Sequence, residues 1–283
     1  MGRRIDHRRW RVALAAAVLV AAALVGVLVW ATGHHPKREL REFLLGEPAR
    51  TTPITGVPRV EDTVLHGQGV VIATPAQKST RAVLFLHGAG QNSRSLFTDP
   101  VRKPAADALL AAGYAVAASD ANLDSWGSPA AVNAHLDLAA ELRRRGYTDL
   151  YVLAESMGGL SLPGVVAGVR AVAAGAWYPV CDLGSVIRAG RFDQSIAAAY
   201  GGSLQPPAGL SPVTFAAQPS LRLAIWASPG DTVVPKAQNA DVCASQARAA
   251  GIQVTEVTTT GDHGDPSNIQ PANLVQFFNT GPG

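Results

Sequence analysis

From Arg81 onward the chain alternates short apolar runs with longer segments of helical character, and few folds accept that alternation. The runs fall at residues 82–86, 115–119, 150–154, 172–180, 223–227 and 254–258. Strands this uniformly apolar are covered on both faces, and the segments between them are long enough to cross over as helices. The pattern predicts an α/β fold with a mostly parallel central sheet and helices on both faces. Two helices carry clear punctuation. Pro104 and Gly113 bracket one; Ser128 as N-cap, Pro129 and Gly146 bracket the other, with Val132, Leu136 and Ala139 on one face. Arg143, Arg144 and Arg145 end that second helix, where cations complement its dipole, and read as a solvated end. A hairpin at 61–65 and 69–73 is expected to add antiparallel strands at the edge, and a short helix is expected from Pro271 to near Phe278. The one long connection, from Cys181 to Ser220, is broken by Pro206, Pro207, Gly209 and Pro212 and leaves room for a short lid.

Charge divides the chain into unlike parts. Up to Arg41 there are 8 basic and 2 acidic residues; after it, 16 and 19, so the body is mildly acidic and offers no electrostatic footprint for nucleic acid. Arg3, Arg4, Arg8, Arg9 and Arg11 precede an uncharged stretch, residues 12–33, long enough for a membrane-spanning helix. The arginines hold that flank in the cytoplasm and put the body outside. Val29-Trp30-Ala31 also suits signal-peptide cleavage, which would release the body. The expected organisation is a basic tail and anchor over 1–33, a stalk over 34–60 in which His34 and His35 are solvated, and one domain over 61–283. The first cysteine is Cys181, so nothing follows the apolar segment closely enough to carry a lipid.

Chemistry concentrates at four strand ends. The apolar strand at 150–154 runs into Glu155-Ser156-Met157-Gly158-Gly159, which puts Ser156 between strand and helix with small residues, Ala154 and Gly158, two positions to either side. A nucleophile elbow needs that spacing, because the turn is too tight for larger side chains; a helix N-cap serine would give the same local pattern. Ala154 departs from the usual G-x-S-x-G. At the end of the 82–86 strand stands His87-Gly88-Ala89-Gly90, a loop able to aim the Ala89 N–H at a developing oxyanion, with Met157 N–H as the partner donor. The loop lacks the glycine spacing of a nucleotide site. Serine needs a base. Of seven histidines, His7 lies in the tail, His34 and His35 in the stalk, His66 in the hairpin, His87 in the glycine loop and His135 in a helix, which leaves His263 after the last strand. The acid that would orient it is Asp231, on the Pro-Gly turn after the 223–227 strand, with Asp182 as the alternative; Asp262 and Asp265 sit too close to His263 in sequence. Trp126 follows the 115–119 strand and reads either as a wall of the substrate pocket or as a packed loop aromatic. Pro163 is expected to kink the helix behind Ser156.

His87-Gly88-Ala89-Gly90, residues 154–159, residues 230–235 and Gly261-Asp262-His263-Gly264, with the order serine, aspartate, histidine, resemble the α/β-hydrolase superfamily over 61–278, within it compact esterases and the catalytic domains related to dienelactone hydrolase and prolyl oligopeptidase. The resemblance implies an α/β-hydrolase fold in which Ser156 forms an acyl-enzyme, His263 shuttles the proton, Asp231 holds the imidazole and water releases the acid. It implies no cofactor, and the sequence carries no metal-ligand constellation. The expected substrate is a small-molecule or envelope ester. Amide cleavage or acyl transfer by the same residues, and a silent binding module of the same fold, are the alternatives. Cys181 and Cys243 are either a single disulfide or two buried thiols.

Overall fold

Each apolar run becomes a strand whose successive side chains enter opposite layers. The computed structural model describes residues 54–57 and 59–280. Its strands are β1 (Val60–Leu65), β2 (Gln68–Ala73), β3 (Arg81–Leu86), β4 (Ala115–Ser119), β5 (Asp149–Glu155), β6 (Ala173–Trp177), β7 (Arg222–Ala227) and β8 (Gln253–Thr258). They form one sheet in the order β1-β2-β4-β3-β5-β6-β7-β8. The hairpin pairs antiparallel with itself and with β4, and every other pairing is parallel. In β3, Ala82, Leu84 and Leu86 face one core, while Val83 and Phe85 face the other. In β5 the same alternation divides Leu150, Val152 and Ala154 from Tyr151 and Leu153.

Between the strands run α1 (Ser95–Thr98), α2 (Lys103–Ala111), α3 (Pro129–Arg144), α4 (Leu162–Val169), α5 (Leu183–Ala189), α6 (Asp193–Ala199), α7 (Ala240–Ala249) and α8 (Pro271–Asn279). Helices α1, α2 and α8 bury residues in one core; α3 to α7 bury theirs in the other. Ser128 caps α3 by accepting the Ala131 N–H. The face its sequence suggested packs inward, with Ala139 buried in the core and Val132 and Leu136 packed against it. Leu138 and Leu142 are the buried pair, while Val132 and Leu136 are half-buried against the glycines of α4. A Cβ on Gly168 would lie 2.6 Å from Leu136 Cδ2, so the close approach of the two helices requires glycine there. Pro163 sits in the first turn of α4, where no intrahelical N–H is missed, and so starts the helix rather than kinking it.

β6 stops short of its apolar run because Tyr178 leaves the strand at φ +36°. The long connection after it holds α5 and α6 and folds over Trp126, which is buried in the core rather than lining an open pocket. Its indole lies 5.0 Å from the Phe192 ring and donates to Ser195 Oγ, and its carbonyl accepts from Tyr200 Oη. Apolar surface on an isolated tryptophan is thus spent anchoring the short lid.

The folded body begins before the expected boundary, since Ile54 and Val57 are buried in the core of α2 and α8. The expected anchor and most of the expected stalk lie outside the described residues; among the described residues no helix is long and apolar enough to cross a membrane. Cys181 and Cys243 are free, buried thiols. Burial, and then a hydrogen bond with Cys243, pushes the Cys181 thiol up.

His135 is buried in α3 with no partner for Nδ1 among the described residues, and burial together with the nearby His87 lowers its pKa from 6.5 to about 3. The folded state therefore binds fewer protons here than the unfolded state between those values, and stability falls as pH drops through 6.5 toward 3. The slope from this group alone reaches up to about 1.4 kcal/mol per pH unit. Urea unfolding at pH about 7 and about 5 is expected to show a smaller acid loss in His135→Leu than in the parent; equal losses would contradict it.

Candidate active site

Two loops meet where the strand order reverses. The chain leaves β3 to build β4 on one side and returns to build β5 on the other, so the carboxyl ends of β3 and β5 open a crevice between adjacent strands. The first loop carries His87 to Gly90, and the second begins at Ser156.

Ser156 adopts φ +48°, a left-handed conformation that a non-glycine residue holds only when its surroundings enforce it. A 3-10 turn, Ser156–Leu160, follows. The enforcement comes from packing. A Cβ on Gly158 would lie 2.2 Å from the Leu86 carbonyl oxygen, and one on Gly159 would lie 2.6 Å from that of Val180. The turn is therefore pressed against the ends of both flanking loops. Ala154, two residues before the serine, pairs in register with Leu86 and Ala176, and its methyl is fully buried in the space available.

The structure brings Ser156, His263 and Asp231 together. Ser156 Oγ lies 2.9 Å from His263 Nε2, and His263 Nδ1 lies 2.7 Å from Asp231 Oδ2. An ionised carboxylate only accepts, so Nδ1 carries the proton and Nε2 presents its lone pair to the serine hydroxyl. Asp231 is itself held, its Oδ1 accepting the N–H groups of Val233 at 3.0 Å and Val234 at 2.8 Å. Asp262 ties the acid loop to the histidine loop. Its Oδ1 accepts the N–H of Thr232 and of His263, both at 2.7 Å, and these bonds hold its carboxyl below the usual range. Asn268, fully buried, donates to the Asp262 carbonyl from behind. The alternative acid, Asp182, caps α5 through Ser185 and accepts from Ser211, with no contact to His263.

Beside the serine, the glycine loop is drawn close: a Cβ on Gly88 would stand 3.3 Å from Ser156 Cβ. Its amides are divided among partners. Gly88 N–H donates to Gln91 Oε1 at 3.1 Å and Gly90 N–H to Asp124 Oδ1 at 2.7 Å. Among the described residues the Ala89 amide has no acceptor. Met157 N–H lies in the first turn of the 3-10 helix, where no intrahelical acceptor exists. The His87 ring is buried, with Nδ1 at 2.8 Å from the Gly88 carbonyl and Nε2 at 2.9 Å from that of Asp120, and in the neutral ring only the protonated nitrogen of the two donates.

Glu155 escaped the sequence reading. It occupies the unrestricted position before the serine, yet it is 1% exposed and is bound by three side chains. Arg102 binds both its oxygens, Gln91 Nε2 donates at 2.8 Å, and Tyr178 Oη donates at 2.9 Å. Burial alone would lower the Arg102 pKa, but the Glu155 hydrogen bonds and charge outweigh it and raise the net value. Burial, and then the Glu155 charge, raises that of Tyr178. The available signal was a carboxylate at the end of an otherwise apolar strand. Further out, a recess of about 390 Å3 lies between α5 and the acid loop, with Ser185, Val186, Thr232 and Val233 in its walls and Arg188 and Arg191 at its edge. Both walls follow carboxyl ends of strands, β6 and β7, as Ser156 follows that of β5.

No protein-family model matches the chain, and no curated protein does. Solved structures do. An esterase/lipase from an uncultured bacterium is 17% identical with a TM-score of 0.61, over 84% of this chain and 94% of that one. A truncated carbohydrate esterase from gut microbiota is 18% identical with a TM-score of 0.56, over 76% and 91%. A puromycin-hydrolyzing peptidase of Mycobacterium tuberculosis is 19% identical with a TM-score of 0.56, over 78% of this chain and 37% of that one.

The elbow gives a direct test of its own geometry. Gly158→Ala is expected to slow labelling of Ser156 by a fluorophosphonate at least about 100-fold, the order of loss that follows a misplaced reacting group. Gly164→Ala, where the new methyl meets only the Val132 side chain at 3.1 Å, is expected to label at close to the parent rate. Equal labelling of the two variants would show that the elbow is not constrained as described.

Proposed function

We propose that this chain, which has the α/β-hydrolase fold, is a serine hydrolase that cleaves carboxylic esters through an acyl-enzyme. One observation carries the reading: an unbroken run of hydrogen bonds from Ser156 through His263 to Asp231, whose far oxygen is fixed by two backbone amides. In the first step His263 Nε2 takes the hydroxyl proton as Ser156 Oγ attacks the ester carbonyl. Asp231 steadies the imidazolium. The amides of Ala89 and Met157 receive the oxyanion, and being backbone groups already in place they need no reorganisation. Collapse of the tetrahedral intermediate expels the alkoxide, which takes the proton from His263. Water then repeats the sequence, giving up its proton to His263 and releasing the acid and Ser156. The recess beside the acid loop is within the size range of small-molecule sites and is where we put the bulk of the substrate.

The esterase and carbohydrate-esterase titles among the structural neighbours support ester cleavage, and the puromycin-hydrolyzing peptidase keeps amide cleavage in view. Ser156→Ala is expected to abolish hydrolysis of p-nitrophenyl esters and fluorophosphonate labelling, and Asp231→Asn to lower kcat by about 10³- to 10⁴-fold. A Ser156→Ala protein that retains both activities would sink the assignment. On matched acyl groups, faster turnover of esters than of aryl amides is expected; the reverse would make the protein an amidase.

We also propose that the catalytic body is held outside the cytoplasm by the N-terminal segment. The five arginines and the uncharged residues 12–33 support this orientation. A C-terminal alkaline phosphatase fusion, active only outside the cytoplasm, is expected to be active and to sediment with membranes. Release of the fusion into the medium would favour cleavage near Ala31, and an inactive fusion of full length would overturn the topology.

A further inference from the structure

We propose that Glu155 is a positioning residue that sets both the oxyanion loop and the catalytic histidine through its buried carboxylate. The inference rests on the serine-hydrolase reading above. A buried carboxylate is costly unless it is paired and fully hydrogen-bonded, and an apolar residue at the end of β5 would avoid that cost. Glu155 meets the condition through Arg102, and its two remaining partners both lead to the reacting groups.

The first is Gln91. A carboxylate accepts and cannot donate, so Glu155 compels Gln91 to present its amide nitrogen, at 2.8 Å. The other end of the amide must then be the oxygen, and it accepts the Gly88 N–H at 3.1 Å. The Gln91 N–H returns to the Gly88 carbonyl at 3.3 Å, which closes the turn. With Gly88 engaged by Gln91 and Gly90 by Asp124, the loop leaves the Ala89 amide for the oxyanion. A reversed Gln91 amide would point its NH₂ at the Gly88 N–H, donor against donor. The charge on Glu155 therefore selects the loop conformation.

The second is Tyr178, whose hydroxyl donates to Glu155 at 2.9 Å and whose ring stands against the His263 imidazole, centroids 4.7 Å apart at 68°. His263 sits on a loop, and Tyr178 supports one side of its ring while Asp231 holds its Nδ1. Arg102 completes the arrangement. Its guanidinium also pairs with Asp99 at 2.9 Å, and it neutralises the carboxylate that would otherwise oppose negative charge developing beside it on the Ser156 adduct.

Three variants of the full chain test the two limbs separately, by kcat and KM on p-nitrophenyl acetate, affinity for phenylboronic acid, which forms a tetrahedral adduct on the serine, and Tm. Gln91→Ala is expected to lower kcat and boronate affinity about 10-fold, an oxyanion-hole effect, with KM within about 2-fold and Tm near the parent. Tyr178→Phe keeps the ring and loses the hydroxyl, and is expected to lower kcat about 3- to 10-fold. Glu155→Gln, which can also donate, is expected to lose at least as much as either. Folded Gln91→Ala and Tyr178→Phe proteins with parental kcat and boronate affinity would overturn the inference, whether or not Glu155→Gln folds, and so would a fall in Tm unaccompanied by any fall in kcat. A parent protein that neither turns over the ester nor labels at Ser156 fails at the earlier reading and takes this one with it.

Discussion

The contact between Gly158 and the Leu86 carbonyl is the constraint on which the rest of the site depends. Parallel pairing of β3 and β5 brings the strand ends side by side, and the missing side chain at Gly158 lets the turn after β5 close directly onto the end of β3. That closure holds Ser156 at positive φ and presses Gly88 to within van der Waals range of the serine. Ser156 and the His87–Gly90 loop are thus set by the same backbone contact. A looser turn would separate them. Strain at Ser156 persists because the sheet on either side over-determines it.

Polar groups then fix what backbone packing leaves free. The acid and histidine loops come from β7 and β8, adjacent strands, yet adjacency alone would not align an imidazole to a few tenths of an ångström. Asp262 supplies the missing restraint by binding the amides of Thr232 and His263 with a single oxygen, so the two loops move as one. Glu155 acts at the opposite side of the serine, where its partners come from the loops after β3 and β6 and from the start of α2. Two further carboxylates thus tie together the loops around Ser156, Asp231 and His263. One is buried and paired with a cation, and the other is exposed and satisfied by backbone donors.

The strands were legible in the sequence because the apolar runs are short, bounded and separated by helix punctuation such as Ser128 and Pro129. Ser156, Asp231 and His263 were legible because each lies where a strand ends, and a strand end is a local feature. What escaped depends on residues far apart along the chain. Arg102 and Gln91 reach Glu155 across 53 and 64 positions, and nothing around either one marks it as a partner. Trp126 could not be assigned to wall or core without knowing that Phe192, Ser195 and Tyr200 fold back over it. Val132 and Leu136 are apolar to suit the glycines of α4, so an amphipathic pattern alone did not say which neighbour each stripe meets. Ile54 and Val57 are two apolar residues in a Pro- and Gly-rich stretch, too few to declare a packed segment.

The division of the core explains why chemistry gathers on one edge of the sheet. Both faces are occupied by helices, so neither is open to substrate, and the strand ends alone are exposed. At the carboxyl ends, strand carbonyls and helix N-termini leave loops free to diverge, and the reversal of strand order between β3 and β5 opens a crevice between neighbouring loops there. The connection after β6 adds no long insertion, since α5 and α6 are each 7 residues and Trp126 pins α6 to the core. Under the function proposed above, substrate selection would fall to the few side chains around the recess between α5 and the acid loop, and Thr232 among them is itself tied to Asp262, so recess and framework share a residue.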